Sequence, residues 1–279
     1  MDAREFYRRL DALYEAEDAP GAYALLCQQR AEAEAKGDEA MLLTVLNALL
    51  GHCRENVLFD EIEGLYQRAL VCIEALGLRG SMEEAVTLLN AATAFCVMGR
   101  EELSEELYLR SAALHEALLP PGDTRLAAVH NNHGLLYRSQ NRKEKARAAF
   151  RRALEILEAG KGNPDELAAS RLNLASVTED VEEAEALLRS AMDYFDTPEG
   201  RLDIHRFTAL ATLAELQFRK GNYPEAGRRF EETAAAWKSM GGPEQRRAIL
   251  LRNALYSYEK AGDQAAAERL RAELGEVRG

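Results

Sequence analysis

Asn90, Asn132 and Asn173 stand 42 and 41 residues apart in this chain of 279, and a further asparagine, Asn131, sits beside the middle one. Thr212 and Asn253 carry the interval on towards the C-terminus, and Asn47 lies within one residue of the same register on the other side. Each is embedded in sequence that otherwise reads as helix, where asparagine is a poor choice because its short amide competes for nearby backbone hydrogen bonds. An amide offers both donors and an acceptor. A row of them at a regular interval can therefore pair with the N–H and C=O groups of an extended peptide without reading its side chains.

Catalytic chemistry finds less support. His130 and His133 are three apart on a predicted helix and could share a metal, but no third ligand stands at a suitable spacing. Glycine-rich phosphate loops, GxSxG elbows and HExxH helices do not occur in the sequence. Cys53 and Cys96 hold comparable places in successive repeats and read as small buried hydrophobes. The expectation is a protein that is not an enzyme and carries no cofactor or metal.

The asparagine interval belongs to an internal repeat. Gly134 is followed by Tyr137, Ala146, Phe150 and Ala153; Ala214 by Ala226, Phe230 and Thr233 at matching offsets; Ala92 by Phe95, Ser104, Tyr108 and Ser111. Small residues at such places let two helices approach closely, and the aromatic fills the gap between neighbouring pairs. Tyr66, Tyr108, Phe150, Leu188 and Phe230 share one repeat position and are predicted core, whereas Trp237 is predicted to pack on the hairpin that follows it. Gly99, Asn141, Gly221 and Gly262 fall where a first helix must stop and reverse. Proline and glycine in "LPPGD", "GKGNPD", "DTPEG" and "GGPE" mark the handover from one hairpin to the next. Only nine residues separate Ala175 from Ala184 where twelve are expected, which predicts a shortened turn at "VTEDVEE" and a clipped first helix.

These offsets resemble the tetratricopeptide repeat, and the longer interval together with "NNHGLLY" at 131–137 is similar to the repeats of kinesin light chains. The resemblance implies an all-α fold, a right-handed superhelical solenoid of about seven antiparallel helical hairpins forming a single domain over 1–279. Within it, 1–36 is an N-terminal capping hairpin, 37–242 the repeats and 243–279 a C-terminal hairpin and cap. It also implies that the asparagine positions face the concave side, as they do in related repeats that hold peptides. The candidate peptide-binding residues are Asn47, Asn90, Asn131, Asn132, Arg138, Asn173, Thr212, Arg219 and Asn253. Leu135, Ser176, Glu215, Arg252 and Tyr256 lie one turn away on the same face.

Composition narrows the partner. A net charge of -12 argues against nucleic acid, which needs a clustered positive surface. No apolar run approaches the roughly 20 residues of a membrane helix, so no membrane partner is expected, and the charged opening "MDAREFYRRL" gives cytoplasmic as the expected location. The expected partner is a protein or extended peptide. Charge is uneven, since Arg142, Lys143, Lys145, Arg147, Arg151 and Arg152 cluster on one predicted helix while the segment before it is acidic. The alternative is therefore self-association, a structural module docking through its charged outer faces.

Overall fold

The computed structural model describes residues 2–275; the last residues of the predicted C-terminal cap, 276–279, lie outside them. Among the described residues there are fourteen α-helices, one 3-10 turn and no strand. They fall into two compact units, one up to Gln140 and one from Asn141.

The first unit holds α1 (Ala3–Glu15), α2 (Ala19–Lys36), α3 (Glu39–Glu55), α4 (Phe59–Ala75), α5 (Met82–Val97), α6 (Glu101–Leu118) and α7 (Thr124–Ser139). The second holds α8 (Lys143–Gly160), α9 (Pro164–Val177), α10 (Val181–Phe195), α11 (Ile204–Arg219), α12 (Tyr223–Ser239), α13 (Glu244–Ala261) and α14 (Gln264–Glu273), with the 3-10 turn Gly200–Leu202 ahead of α11.

Side chains set where the hairpins begin. Asp38, Ser81, Asp123 and Asp203 each accept from a backbone N–H of the first turn of α3, α5, α7 and α11, which satisfies donors that have no partner inside the helix. The reversals inside the hairpins use a left-handed residue instead. Gly99, Asn141, Gly221 and Gly262 all have positive φ, as their places in the repeat predict. At Gly99 the closure is a pair of bonds, Gly99 N–H to Cys96 O at 3.0 Å and Arg100 N–H to Phe95 O at 2.9 Å, which caps the last carbonyls of α5. The α3–α4 reversal places a valine there, Val57 with φ 61°, a conformation in which a branched Cβ crowds the backbone.

The α9–α10 turn departs from this scheme. Helix α9 is 14 residues long, and residues 178–180 link it to α10 with no positive φ. The shortened turn and clipped helix match the sequence pattern.

Burial follows the repeat. Tyr66, Tyr108, Phe150, Leu188 and Phe230 are all buried, as are the small residues Ala92, Ser104, Ala146, Ala184, Ala214 and Ala226. Where serine replaces alanine it bonds across the helix pair: Ser104 Oγ donates to Ala92 O and Ser111 Oγ to Ala85 O, both at 2.8 Å. Cys53 lies in the core of the first unit, with Cys96 partly buried against it. Gly227 of α12 makes room for the Tyr258 ring of α13, which would stand 2.8 Å from a Cβ there. Tyr258 in turn donates to Glu231 at 2.8 Å, and Arg269 of α14 pairs with the same carboxylate.

A polar cluster docks the first hairpin on α3. The buried His52 ring is nearly parallel to those of Tyr14 and Tyr23, at 6.0 and 5.5 Å between centroids. Its Nδ1 is 3.1 Å from the Tyr14 hydroxyl, and Tyr23 donates to Glu61. Desolvation pushes the His52 imidazole below its ordinary range, with Glu55 and Glu61 opposing.

Two outcomes are expected. Val57→Gly, which relieves the left-handed strain at an exposed site, should raise stability by about 1 kcal/mol in chemical denaturation; a lower midpoint would contradict the strain. His52 is held neutral when folded but accepts a proton more readily when unfolded. Its contribution is therefore present above the ordinary pKa of 6.5 and falls away as pH drops through that value. His52→Phe should show a smaller loss of midpoint between about pH 7 and 5.5 than the native chain, and equal losses would remove His52 as the cause.

Candidate binding groove

In the first unit the predicted amides meet each other. Asn47 on α3 donates to Thr87 Oγ1 of α5 at 3.0 Å and to Leu43 O at 3.1 Å, and its own Oδ1 accepts from Asn90 Nδ2 of α5 at 3.0 Å. The two first helices pack closely enough for their asparagines to brace them. Beside Asn47 opens a cavity of about 540 Å³ whose wall is mostly apolar, with Tyr7, Leu43, Leu76, Met82 and Val86.

Asn131 and Asn132 are half-buried on α7, and Arg138 is exposed in its last turn. The neighbouring histidines part company. His133 is buried between the rings of Tyr108 and Tyr137, at 5.5 and 4.2 Å between centroids, whereas His130 Nε2 lies 3.5 Å from Glu116.

The second unit arranges its candidates differently. Asn173 is half-buried on α9. Arg219, at the end of α11, reaches back to donate to Thr178 O at 3.3 Å and to Glu179 O, so its guanidinium closes the α9–α10 turn that has no left-handed residue to close it. Thr212 turns its hydroxyl to Thr208 O at 2.8 Å. Asn253 is exposed on α13.

Around Thr212 and Asn253 the chain forms an open groove. Helix α11 presents Thr208, Thr212 and Glu215, helical spacings that align them on one face, and α13 presents Arg246, Ile249, Asn253 and Tyr256 in the same way. Phe230 and Trp237 of α12 form the floor. Two cavities adjoin here, of about 670 and 270 Å³, and both include Glu215, Phe230 and Asn253. The larger has a mainly apolar wall with Ile204 and Ile249 more than half exposed. Arg246 is committed: its guanidinium lies 4.9 Å from the Trp237 ring centroid and donates to Thr208 Oγ1 at 2.6 Å. Trp237 donates to Pro243 O at 2.9 Å and meets Phe207 edge-on at 5.1 Å, so it does pack on the hairpin that follows, and its ring is also groove floor.

Glu215 and Tyr256 are legible from sequence as neighbours of the asparagine register. Phe218, Ile204, Ile249 and the floor residues are not. Phe230 in particular reads only as core, and it is buried, yet it also lines both cavities.

Comparison with known proteins places the fold among helical repeats. A tetratricopeptide-repeat sequence profile matches residues 83–159. No curated protein matches the chain in sequence. Among solved structures, the Rap protein complexed with competence and sporulation factor is 16% identical, with 97% of this chain and 76% of that chain covered and a TM-score of 0.68. BtubC (BKLC) from P. vanneervenii is 19% identical over 85% of this chain and 94% of its own, with a TM-score of 0.58. Nearly identical TPR-like repeats assigned to a kinesin light chain of Podosopora anserina are 17% identical over 67% of this chain and 91% of theirs, with a TM-score of 0.54. At these identities the likeness is one of fold. The profile match over 83–159 and the shared helical architecture give the chain the all-helical fold of tetratricopeptide-like solenoids.

Proposed function

We propose that this protein binds an extended peptide segment of a partner protein in the groove between α11 and α13 of the second unit, without catalysing a reaction. Repeat proteins of this fold generally mediate protein–protein interaction, and the Rap structure, by its description, is a complex with competence and sporulation factor. The observation that carries the reading is the exposed Asn253 amide, set beside Glu215 at the junction of a larger cavity with a mainly apolar wall and a smaller one of mixed polar and aromatic lining. An amide in that place pairs with a peptide backbone, and the cavities on either side take alternate side chains. Asn173, on the preceding first helix of the same unit, extends the amide row. In the first unit the Asn47–Asn90 pair serves as a brace, and Asn132 of α7 is the amide there in register with Asn173 and Asn253.

Docking through charged outer faces is supported less well. Arg147 and Arg151 of the basic helix both pair with Glu183 of α10 inside the second unit, at 2.7 and 2.8 Å, which spends part of the charge such an assembly would use.

Peptides selected on the native chain from a random library supply the test. Asn253→Ala is expected to weaken them roughly 5- to 30-fold, the loss of one or two backbone hydrogen bonds. Asn47→Ala should leave affinity unchanged. Failure of every library to yield a binder, or equal binding by Asn253→Ala, would overturn the groove. Stability should respond in the opposite sense: a double-mutant cycle on Asn47 and Asn90 is expected to give a coupling of about 1 kcal/mol in chemical denaturation, whereas additive losses would show that the bond between them contributes nothing.

A further inference from the structure

The smaller of the two cavities has a chemistry of its own. It is lined by Glu215 and Phe218 of α11, Phe230 of α12, and Asn253, Tyr256 and Ser257 of α13, and encloses about 270 Å³. The Ser257 hydroxyl is used internally, donating to Asn253 O at 2.7 Å. What faces the space is therefore one carboxylate, one amide and three aromatic rings. The Phe218 and Tyr256 rings lie 5.4 Å apart at 24°, forming a continuous aromatic wall. The outer ring already attracts a cation, since the chain's own Lys260 Nζ lies 5.4 Å from the Tyr256 centroid.

Glu215 is exposed and pairs with no lysine, arginine or histidine among the described residues. An apolar ligand group seated here would strip water from that carboxylate and return nothing, and an acidic one would be repelled by it. A guanidinium or ammonium group replaces the lost water with a charge-assisted bond and lays its apolar stem and positive charge against the rings. The larger cavity offers no comparable carboxylate of its own beyond the shared Glu215, and its cation, Arg246, is occupied by Trp237 and Thr208. The net charge of -12 draws basic segments towards the molecule from a distance.

We infer that the Glu215–Phe218–Phe230–Tyr256 cavity is a specificity pocket for a lysine or arginine side chain of the bound peptide, next to a larger cavity that takes an apolar one. This rests on the groove reading given above and adds to it the class of peptide selected.

The experiment measures binding to the full chain of short capped peptides that share an apolar residue and vary one position among Lys, Arg, Leu and Glu, using fluorescence anisotropy at physiological salt. The native chain is expected to favour Lys or Arg over Leu about tenfold, and over Glu by more. Glu215→Gln, at an exposed site, should keep its helical circular dichroism and lose the preference; Glu215→Asp should retain part of it. Lys260→Gln, which removes a competing like charge, should tighten the basic peptides. If the native chain shows no basic preference, or if Glu215→Gln keeps it while Asn253→Ala still weakens every peptide, the pocket is wrong and the groove stands. Absence of binding by all four peptide classes would overturn both.

Discussion

Two helices can lie flat against each other only where both present almost no side chain. In this molecule that condition is met at Ala92 against Ser104 and recurs in the second unit with the buried pairs Ala175 and Ala184, and Ala214 and Ala226. The approach is close enough for a serine hydroxyl on one helix to reach a carbonyl on its neighbour. Everything outward of that line inherits its register: the aromatic one turn further on falls into the next hairpin's core, and the residues two places earlier fall on the opposite face. The groove exists because the seam of small residues fixes which way each first helix is rotated.

That dependence explains why so much of the architecture is legible in the sequence. Offsets among Ala214, Ala226 and Phe230 encode the seam directly, and Gly99, Asn141, Gly221 and Gly262 encode the reversals, since a left-handed residue is needed there and glycine or asparagine adopts it at small cost. Val57 shows the limit of the code. Its place in the repeat demands the same backbone conformation, and valine adopts it against its own preference.

The site is less legible, because its chemistry depends on how far apart successive first helices stand. Asn90 shares a register with Thr212 and Asn253, and Asn47 lies within one residue of it, yet Asn47 and Asn90 bond across a tight interface while Thr212 and Asn253 flank an open one. Spacing along the chain is similar in the two cases, 43 and 41 residues, and does not record the distance across it, which is short enough for a bond in the first and open enough for a cavity in the second. Arg219 illustrates the same point in reverse. Its position places it on the groove face, but a carbonyl-rich turn within reach outcompetes solvent for its donors.

That turn carries a consequence for how the chain acquires its structure. At Gly99, Gly221 and Gly262 the reversal is closed by bonds among residues of the same few positions, so each of those turns is complete within its own hairpin. The α9–α10 reversal takes further bonds from a side chain about forty residues along the sequence, so the carbonyls of Thr178 and Glu179 exchange water for a protein donor only once α11 has docked. One hairpin of the second unit is thus completed by its successor, and loosening α11 would return its turn to solvent.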